Sequence, residues 1–195
     1  MGVECGSDSI VMEDLVIGVD VGTSAMKLLA VDCAGQVKSR ATLRYGLSKS
    51  GADIAEQSPD DWWECLRRGL RVLFDNGVTP RSVRAVGVSG QLNGVVLVDA
   101  DRQPVRDSII WLDKRASYES DQINHAVGQH LCQNMFSVAG PIHSVSKLVW
   151  LQKHEPHVVA RAHRVVAPKD YMNLKLSGVF STDASDASAT LMLDL

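Results

Sequence analysis

The first third of the chain alternates short apolar runs with glycine-containing turns. Leu15–Val21 is rich in β-branched residues, residues 22–24 form a glycine turn, and residues 26–31 are a second apolar run. Another turn at residues 32–35 leads to residues 37–45, where the alternation is imperfect. Such runs, separated by glycine turns, are typical of antiparallel strands joined by hairpins. The pattern therefore predicts that the fold opens with a three-strand β-meander.

A helical pattern follows a polar loop. Ser58 precedes Pro59 and two aspartates, which predicts a capping serine with proline at the first helical position. Apolar residues then recur at helical spacing, and Gly77 ends the helix. Residues 83–89 predict a buried strand, and residues 95–98 predict the next one. Because the order is strand, helix, strand, we expect a crossover connection and a mixed sheet.

The second half of the chain is mainly helical in pattern. Helices are predicted at residues 116–127, near 130–136, at 144–154 and at 169–176, with a brief strand at 165–166. The predicted fold class is α/β, with helices flanking a mixed sheet. We expect residues 1–14 to be a polar lead-in and residues 15–195 to be one domain that is truncated at its C-terminus.

Composition narrows the possible functions. The chain has 195 residues, of which 45% are hydrophobic and 22% charged, the balance of a globular domain. Its net charge of -3 comes without a run of like charges, which argues against nucleic acid as a partner. No apolar stretch approaches the roughly 20 residues that cross a bilayer. The four cysteines form no CxxC pair, which favours reduced thiols in a cytoplasmic protein.

The first candidate site is the tip of the first hairpin. Gly22 lets a ligand approach the backbone closely, and the N–H groups of such a turn can receive phosphate oxygens. Asp20 ends an apolar strand, where a carboxylate needs water, a donor or a magnesium ion. Thr23 and Ser24 add hydroxyls, and Lys27 follows on an otherwise apolar strand. The alternative is a plain hairpin whose residues merely suit the turn.

The second candidate site is the loop that leaves the predicted strand at residues 83–89. It carries an amide pair, Gln91 and Asn93, with Leu92 between them. Amides can both donate to and accept from sugar hydroxyls. Asn-Gly is also an ordinary turn dipeptide, so a purely structural loop is the alternative.

Seven segments in order resemble the FGGY family of carbohydrate kinases, especially the xylulokinases within it. They are IGVDVGTS at 17–24, EQSPDDWW at 56–63, VGVSGQ at 86–91, IWLDKR at 110–115, KLVW at 147–150, PKDY at 168–171 and TDASD at 182–186. The resemblance covers nearly all of residues 15–195, and seven segments in register make chance a remote explanation. It identifies the chain as similar to the N-terminal domain of such a kinase.

The resemblance implies an actin-like ATPase domain of the ribonuclease H-like class. It also implies ATP-dependent phosphorylation of a sugar, with D-xylulose to D-xylulose 5-phosphate as the expected reaction and ATP and Mg²⁺ as cofactors. By analogy Asp20 holds magnesium through water, while Gly22, Thr23 and Ser24 face the phosphates and Lys27 lies beside them. The family's general base lies downstream of the TDASD segment. No catalytic residue is therefore assigned within the chain, which we expect to be inactive alone and to need a C-terminal kinase domain.

The resemblance also places Trp111, Asp113 and Arg115 on the sugar side of the cleft. Taken alone, the last two are more often a surface ion pair. Xylulokinases usually carry Met-His where this chain has Leu92-Asn93, so the sugar is open. Kinases for another ketose or polyol, of the ribulose, fuculose, gluconate or glycerol type, are one alternative. A non-catalytic module that binds nucleotide or a partner chain is another, and a homodimer is an expectation from the family.

Overall fold

The computed structural model of this chain describes residues 14–48 and 51–193. Of the predicted polar lead-in, residues 1–13 lie outside the described residues. In the described part the strands are β1 (Leu15–Val21), β2 (Ala25–Asp32), β3 (Val37–Arg44), β4 (Glu56–Gln57), β5 (Val83–Gly90), β6 (Val96–Val98), β7 (Ser108–Ile109) and β8 (Arg164–Val166). The helices are α1 (Pro59–Asp75), α2 (Ser117–Asn134), α3 (Ser144–His154), α4 (Pro156–Val159), α5 (Pro168–Ser177) and α6 (Ala184–Ala189).

The main sheet has four strands in the order β3-β2-β1-β5. β2 pairs antiparallel with both β1 and β3, whereas β5 runs parallel to β1 after the crossover through α1. The predicted α/β class, the opening meander and the mixed sheet are therefore confirmed. The crossover brings the end of β5 beside the end of β1, where the first hairpin turns.

The helix α1 begins at the predicted place. Pro59 is at its first turn and the acidic residues Asp60 and Asp61 follow, near the positive end of the helix dipole. Ser58 occupies the N-cap position, but its side chain makes no capping hydrogen bond, so the predicted capping role is wrong. Of the predicted signals for the helix start, the proline and the acidic residues are confirmed.

The two faces of the main sheet differ. Successive side chains of β1 point to alternate faces of the sheet. The inward-facing ones, from Leu15 to Val21, pack against buried residues of α1 such as Trp62 and Leu66. The other face is open: Val16 is 48% exposed, Leu29 41% and Val86 42%. The prediction that residues 83–89 form a buried strand is therefore wrong. β5 is a strand, but in the described chain it lies at the edge of the sheet and its open face is uncovered.

Two small sheets lie beyond the main sheet. β4 pairs with β7, and β6 pairs with β8, which confirms the brief strand predicted near residue 165. α3 packs beside these strands through a separate apolar cluster that includes Val95, Leu97, Ile109 and Leu151. The predicted break between residues 127 and 130 is absent, because α2 is continuous to Asn134.

An ion cluster fixes α6 to α5. Lys169 Nζ lies 2.8 Å from carboxylate oxygens of both Asp183 and Asp186, and also contacts Asp170. Asp183 caps α6 by accepting from the backbone N–H groups of Ser185 and Asp186. The hydrogen bond from Lys169 holds the pKa of Asp183 well below its usual range. Asp170 does not cap α5, whose N-cap is Ala167.

None of the helices in residues 14–48 and 51–193 is both long and apolar enough to span a bilayer.

Candidate functional site

The first hairpin makes a turn that only glycine fits without adjustment. Val21 pairs with Met26, so residues 22–24 lie beyond the last pair of the β1–β2 ladder. A Cβ built on Gly22 would lie 2.9 Å from the carbonyl oxygen of Ala25, which is closer than real Cβ contacts come. A side chain at this position would therefore widen the turn, and glycine keeps its backbone accessible to a ligand.

Asp20 faces the open side of the sheet. Val19 and Val21 point into the core, so the strand alternation directs the carboxylate outward, where it is exposed. Lys27 in β2 and Ser89 in β5 are its register partners on either side. Because the Asp20 carboxylate is exposed, it avoids the free-energy cost of burying a charge and can contact a cation or water.

The loop between β5 and β6 returns to the end of β1. The Gln91 backbone N–H donates to the Val21 carbonyl at 2.9 Å, which places this loop next to the hairpin turn. Asn93 adopts a left-handed conformation with φ of 60°, which asparagine tolerates better than most residues. A Cβ on Gly94 would lie 2.5 Å from Pro168 Cγ, so the loop packs tightly on the start of α5.

The two candidate sites open into one cavity of about 450 Å³. Its walls are Asp20, Gly22, Thr23, Gly90, Gln91, Leu92, Asn93, Trp111 and Ile142. The structure therefore brings the predicted phosphate-side residues Asp20, Gly22 and Thr23 together with the predicted sugar-side residues Gln91 to Asn93 and Trp111. Trp111 Nε1 donates to Thr23 Oγ1 at 2.9 Å, which joins the two walls directly.

Four predicted site residues are outside this cavity. Lys27 lines a neighbouring cavity with Asp20 on the open face of the sheet, and Ser24 is exposed in the turn. Asp113 is buried and accepts from the Ala55 backbone N–H at 2.7 Å and from the Arg115 guanidinium. Arg115 also pairs with Glu56 at 2.7 Å and lies over the Trp150 ring. Asp113 and Arg115 are therefore both bound to other groups of the protein. Their contact with sugar remains a prediction.

Sequence reasoning missed the part played by Gln57. This side chain is 1% exposed, and its Nε2 donates to the carbonyl oxygens of Thr23 at 2.7 Å and Gly46 at 3.2 Å. Its Oε1 accepts from Gln91 Nε2 at 2.8 Å. One buried amide therefore ties the hairpin turn to the opposite loop. The segment at residues 56–63 matched the family, but nothing local distinguished this glutamine from the polar loop before it.

Tyr45 also stabilises the hairpin turn. Its hydroxyl donates to the Gly22 carbonyl. Burial, and secondarily the Asp20 charge, raise the pKa of this phenol far above its usual range, so it remains a donor. The turn is therefore held by hydrogen bonds from Tyr45, which follows β3, and from Gln57 in β4.

Lys147 is the second residue whose role at the site was missed. It lies in the KLVW segment that matches the family, and its fully buried ammonium donates to the carbonyls of Asn93 and Ile142, both of which line the cavity. Burial lowers the pKa of Lys147 to about 7, while the Asp113 charge acts in the opposite direction. A lysine in a helical stripe gives no local sign that it reaches two separate loops.

The donor set fits a magnesium-bound phosphate better than a dedicated metal cage. In the part of the chain that the structure describes, no three His, Cys, Asp or Glu side chains converge as metal ligands. Mg²⁺ commonly uses one or two carboxylates and takes its other ligands from water and substrate phosphates. The exposed Asp20 carboxylate beside the tight Gly22 turn offers that arrangement.

Comparison with known proteins gives a consistent result. The chain is 33% identical over 183 residues to the xylulose kinase of Escherichia coli strain K12, covering 93% of this chain and 37% of that protein. The crystal structure of xylulose kinase from Rhodospirillum rubrum superposes with a TM-score of 0.87 at 28% identity, covering 93% of this chain and 38% of that one. Gluconate kinase from Lactobacillus acidophilus gives 0.86 at 25% identity, covering 94% and 37%.

The chain thus spans little more than a third of the length of the curated relatives it matches. Its likeness to these kinases confirms the predicted actin-like ATPase fold. The family model of the N-terminal domain of FGGY carbohydrate kinases matches residues 15–195, nearly all of the described fold. The chain therefore belongs to the FGGY family of carbohydrate kinases.

Proposed function

We propose that the protein to which this chain belongs transfers a phosphoryl group from ATP to a sugar hydroxyl, with D-xylulose as the favoured acceptor. The observation that supports this best is the shared cavity. Residues suited to phosphate and magnesium form one wall of it, and residues suited to sugar hydroxyls form the other. A reaction between a phosphate donor and an alcohol requires that both sites open to the same space.

The phosphate wall consists of Asp20 and the turn that begins at Gly22. When bound, MgATP would supply the phosphoryl group and most of the charge neutralisation that its transfer requires. Asp20 would hold the hydrated cation, and the turn would direct backbone N–H groups toward phosphate oxygens. Tyr45 and Gln57 hold the carbonyls of Gly22 and Thr23, so the turn keeps its shape without a ligand.

The sugar wall consists of Gln91, Asn93 and Trp111. Trp111 is 40% exposed and offers a flat apolar surface, while the Gln91 carboxamide is oriented by its bond to Gln57. The Asn93 carboxamide oxygen is buried and has no hydrogen-bond partner among the described residues. An unpaired buried acceptor is costly, so a hydroxyl donor from a ligand would stabilise this loop.

We assign no general base to residues within this chain. Asp20 is the one carboxylate that lines the cavity in the described residues, and its proposed role at the cation occupies it. Asp183 and Asp186 are engaged with Lys169 in the α5–α6 ion cluster. The base and the adenosine pocket are therefore proposed to come from a C-terminal kinase domain, as a partner of the domain described above.

A related kinase for another acceptor is the second candidate. Leu92 and Asn93 line the sugar wall where the resemblance leads us to expect Met and His. In backbone shape the likeness to a gluconate kinase, with a TM-score of 0.86, is within 0.01 of that to a xylulose kinase, with 0.87. A change of two residues in the wall alters which hydroxyls can be paired, so this loop is where the acceptor would be selected.

Cellular location and assembly belong to the proposal as well. Cys33, Cys65 and Cys132 are free thiols, which agrees with a cytoplasmic protein. A homodimer stays a prediction from the family.

The test is ADP release with MgATP and a panel of D-xylulose, D-ribulose, L-fuculose, gluconate and glycerol. It compares the 195-residue chain with a form extended to the length of its relatives. We expect sugar-dependent turnover in the extended form only, highest with D-xylulose. Highest turnover with another acceptor would support the second candidate. Sugar-dependent turnover by the short chain would contradict the missing base, and silence in both forms would favour a binding module.

A further inference from the structure

The ammonium of Lys147 connects two loops that are separate in the chain. Its Nζ donates to the Asn93 carbonyl at 2.9 Å and to the Ile142 carbonyl. Asn93 belongs to the loop after β5, whereas Ile142 precedes α3, and both line the cavity of about 450 Å³. A single side chain from α3 therefore fixes the separation between two parts of the cavity wall.

The position of this ammonium is energetically expensive. Lys147 is fully buried, and no carboxylate among residues 14–48 and 51–193 lies within ion-pair distance of its Nζ. Burial lowers the pKa of the lysine to about 7, Asp113 opposes that change and Arg115 adds to it. Methionine of similar shape would avoid the desolvation of a charge, so simple packing does not account for a lysine here. What lysine adds is donors for two carbonyls.

The backbone at Asn93 is held by contacts on the loop. Its φ of 60° lies in the left-handed region, which asparagine tolerates better than most residues. The next residue, Gly94, packs against Pro168 so closely that the loop has little room on that side. The hydrogen bond from Lys147 to the Asn93 carbonyl is a second contact on this loop, so the backbone that carries the Asn93 carboxamide is held at two adjacent residues.

We propose that Lys147 is a positioning residue for the acceptor, since it holds the Asn93 and Ile142 loops at the separation that lets the sugar wall bind a hydroxyl compound. The proposal rests on the proposed function for the identity of that wall as the sugar site. Lys147 is not a catalytic residue in this account, because it is buried, does not line the cavity, and its ammonium is engaged with two backbone carbonyls.

The test replaces Lys147 with methionine and with glutamine in the extended kinase. Lys147→Met removes every donor, and Lys147→Gln retains one shorter amide donor. Leu151→Ala is the matched control: Leu151 lies on the same helix and is fully buried, but it packs in a cluster away from the cavity. Two quantities are measured for each variant: the KM and kcat with D-xylulose, and hydrogen exchange of the segments 90–94 and 140–143.

We expect Lys147→Met to raise the KM for D-xylulose by roughly 10- to 100-fold with a much smaller change in kcat. Exchange should accelerate in both segments, and Lys147→Gln should show a smaller effect of the same kind. Leu151→Ala should lower overall stability without separating KM from kcat. An unchanged KM and unchanged exchange in a folded Lys147→Met protein would overturn the proposal, as would effects that match those of Leu151→Ala.

This design separates the positioning role from the proposed function. If the wild type phosphorylates none of the sugars in the panel, the proposed function fails, and hydrogen exchange still decides whether Lys147 holds the two loops. If the wild type phosphorylates a sugar other than D-xylulose, that sugar replaces it as the probe, and the expected change in KM is the same.

Discussion

The two walls of the cavity are built in different ways. The phosphate wall follows directly from local sequence: strand alternation directs Asp20 outward, and Gly22 begins the turn next to it. The sugar wall is assembled by residues far from it in the chain, because Gln57 orients Gln91 and Lys147 holds Asn93. The residues proposed to contact ligand were predicted from sequence motifs. The residues that hold them in place were identified only from the tertiary structure.

The largest effect is expected on the phosphate wall. Asp20→Ala in the extended kinase should lower kcat by about a thousandfold, because the carboxylate that would hold the cation is lost. The free energy of unfolding should stay within about 0.5 kcal/mol, since the side chain is exposed. ADP release and urea unfolding measure the two quantities. Asp14→Ala, at an exposed residue just before β1, is the control and should retain full activity.

Gln57→Leu tests the connection between the walls. It removes the donor for the Thr23 and Gly46 carbonyls and the acceptor for Gln91, at a cost of about 2–3 kcal/mol in stability. The KM for sugar should rise as well, because Gln91 loses its orientation. Chemical denaturation and steady-state kinetics check both effects. Gln36→Leu, at an exposed turn, should change neither, and a Gln57→Leu protein as stable as wild type would contradict the connection.

Gly94→Ala probes the packing of the sugar wall on α5. The new Cβ would lie 2.5 Å from Pro168 Cγ, and the resulting overpacking should cost about 1–3 kcal/mol. Thermal unfolding measures the change. Gly87→Ala is the comparison, since a Cβ there meets nothing within 4 Å and we expect less than about 0.5 kcal/mol. Equal losses for the two variants would show that the loop adjusts freely.

The smallest effect concerns the pH dependence of stability. Folding lowers the pKa of Lys147 from its ordinary value of 10.5 to about 7, so between these values the unfolded chain binds more protons. Stability should therefore rise with pH in that window, by about 1–2 kcal/mol between about pH 7 and 8.5. The charged groups that face Lys147 are Asp113, Arg115 and His143, and burial lowers the pKa of His143 below 6.5, outside the window.

Denaturant titrations of the wild type and Lys147→Met at several pH values measure this dependence. The variant has no ammonium at that position and should lack the rise, so the difference between the two proteins should change with pH in the direction stated. Parallel pH curves for the two proteins would mean that the ammonium titrates at its ordinary value.

The sequence predicted the main sheet well because its signals are local. The meander, α1, α3 and the crossover depend on periodicity, glycine turns and proline, which act within a few residues. The exposure of β5 was predicted wrongly, because a valine-rich run fits both a strand that is covered on two faces and a strand that is covered on one. The capping role of Ser58 was also wrong, because a suitable residue at the N-cap position does not by itself form the hydrogen bond.

By itself the sequence determined the family and the α/β class, and it predicted most of the residues that line the cavity, because family motifs and strand periodicity are local signals. Only the tertiary structure decided that the two motifs share one cavity, that Asp113 and Arg115 are engaged with protein partners, and that Gln57 and Lys147 hold the walls. The physical reason is that a buried amide or ammonium acts on whichever backbone carbonyls the fold brings to it. Because every residue has a backbone carbonyl, the sequence does not indicate which ones a buried side chain will contact.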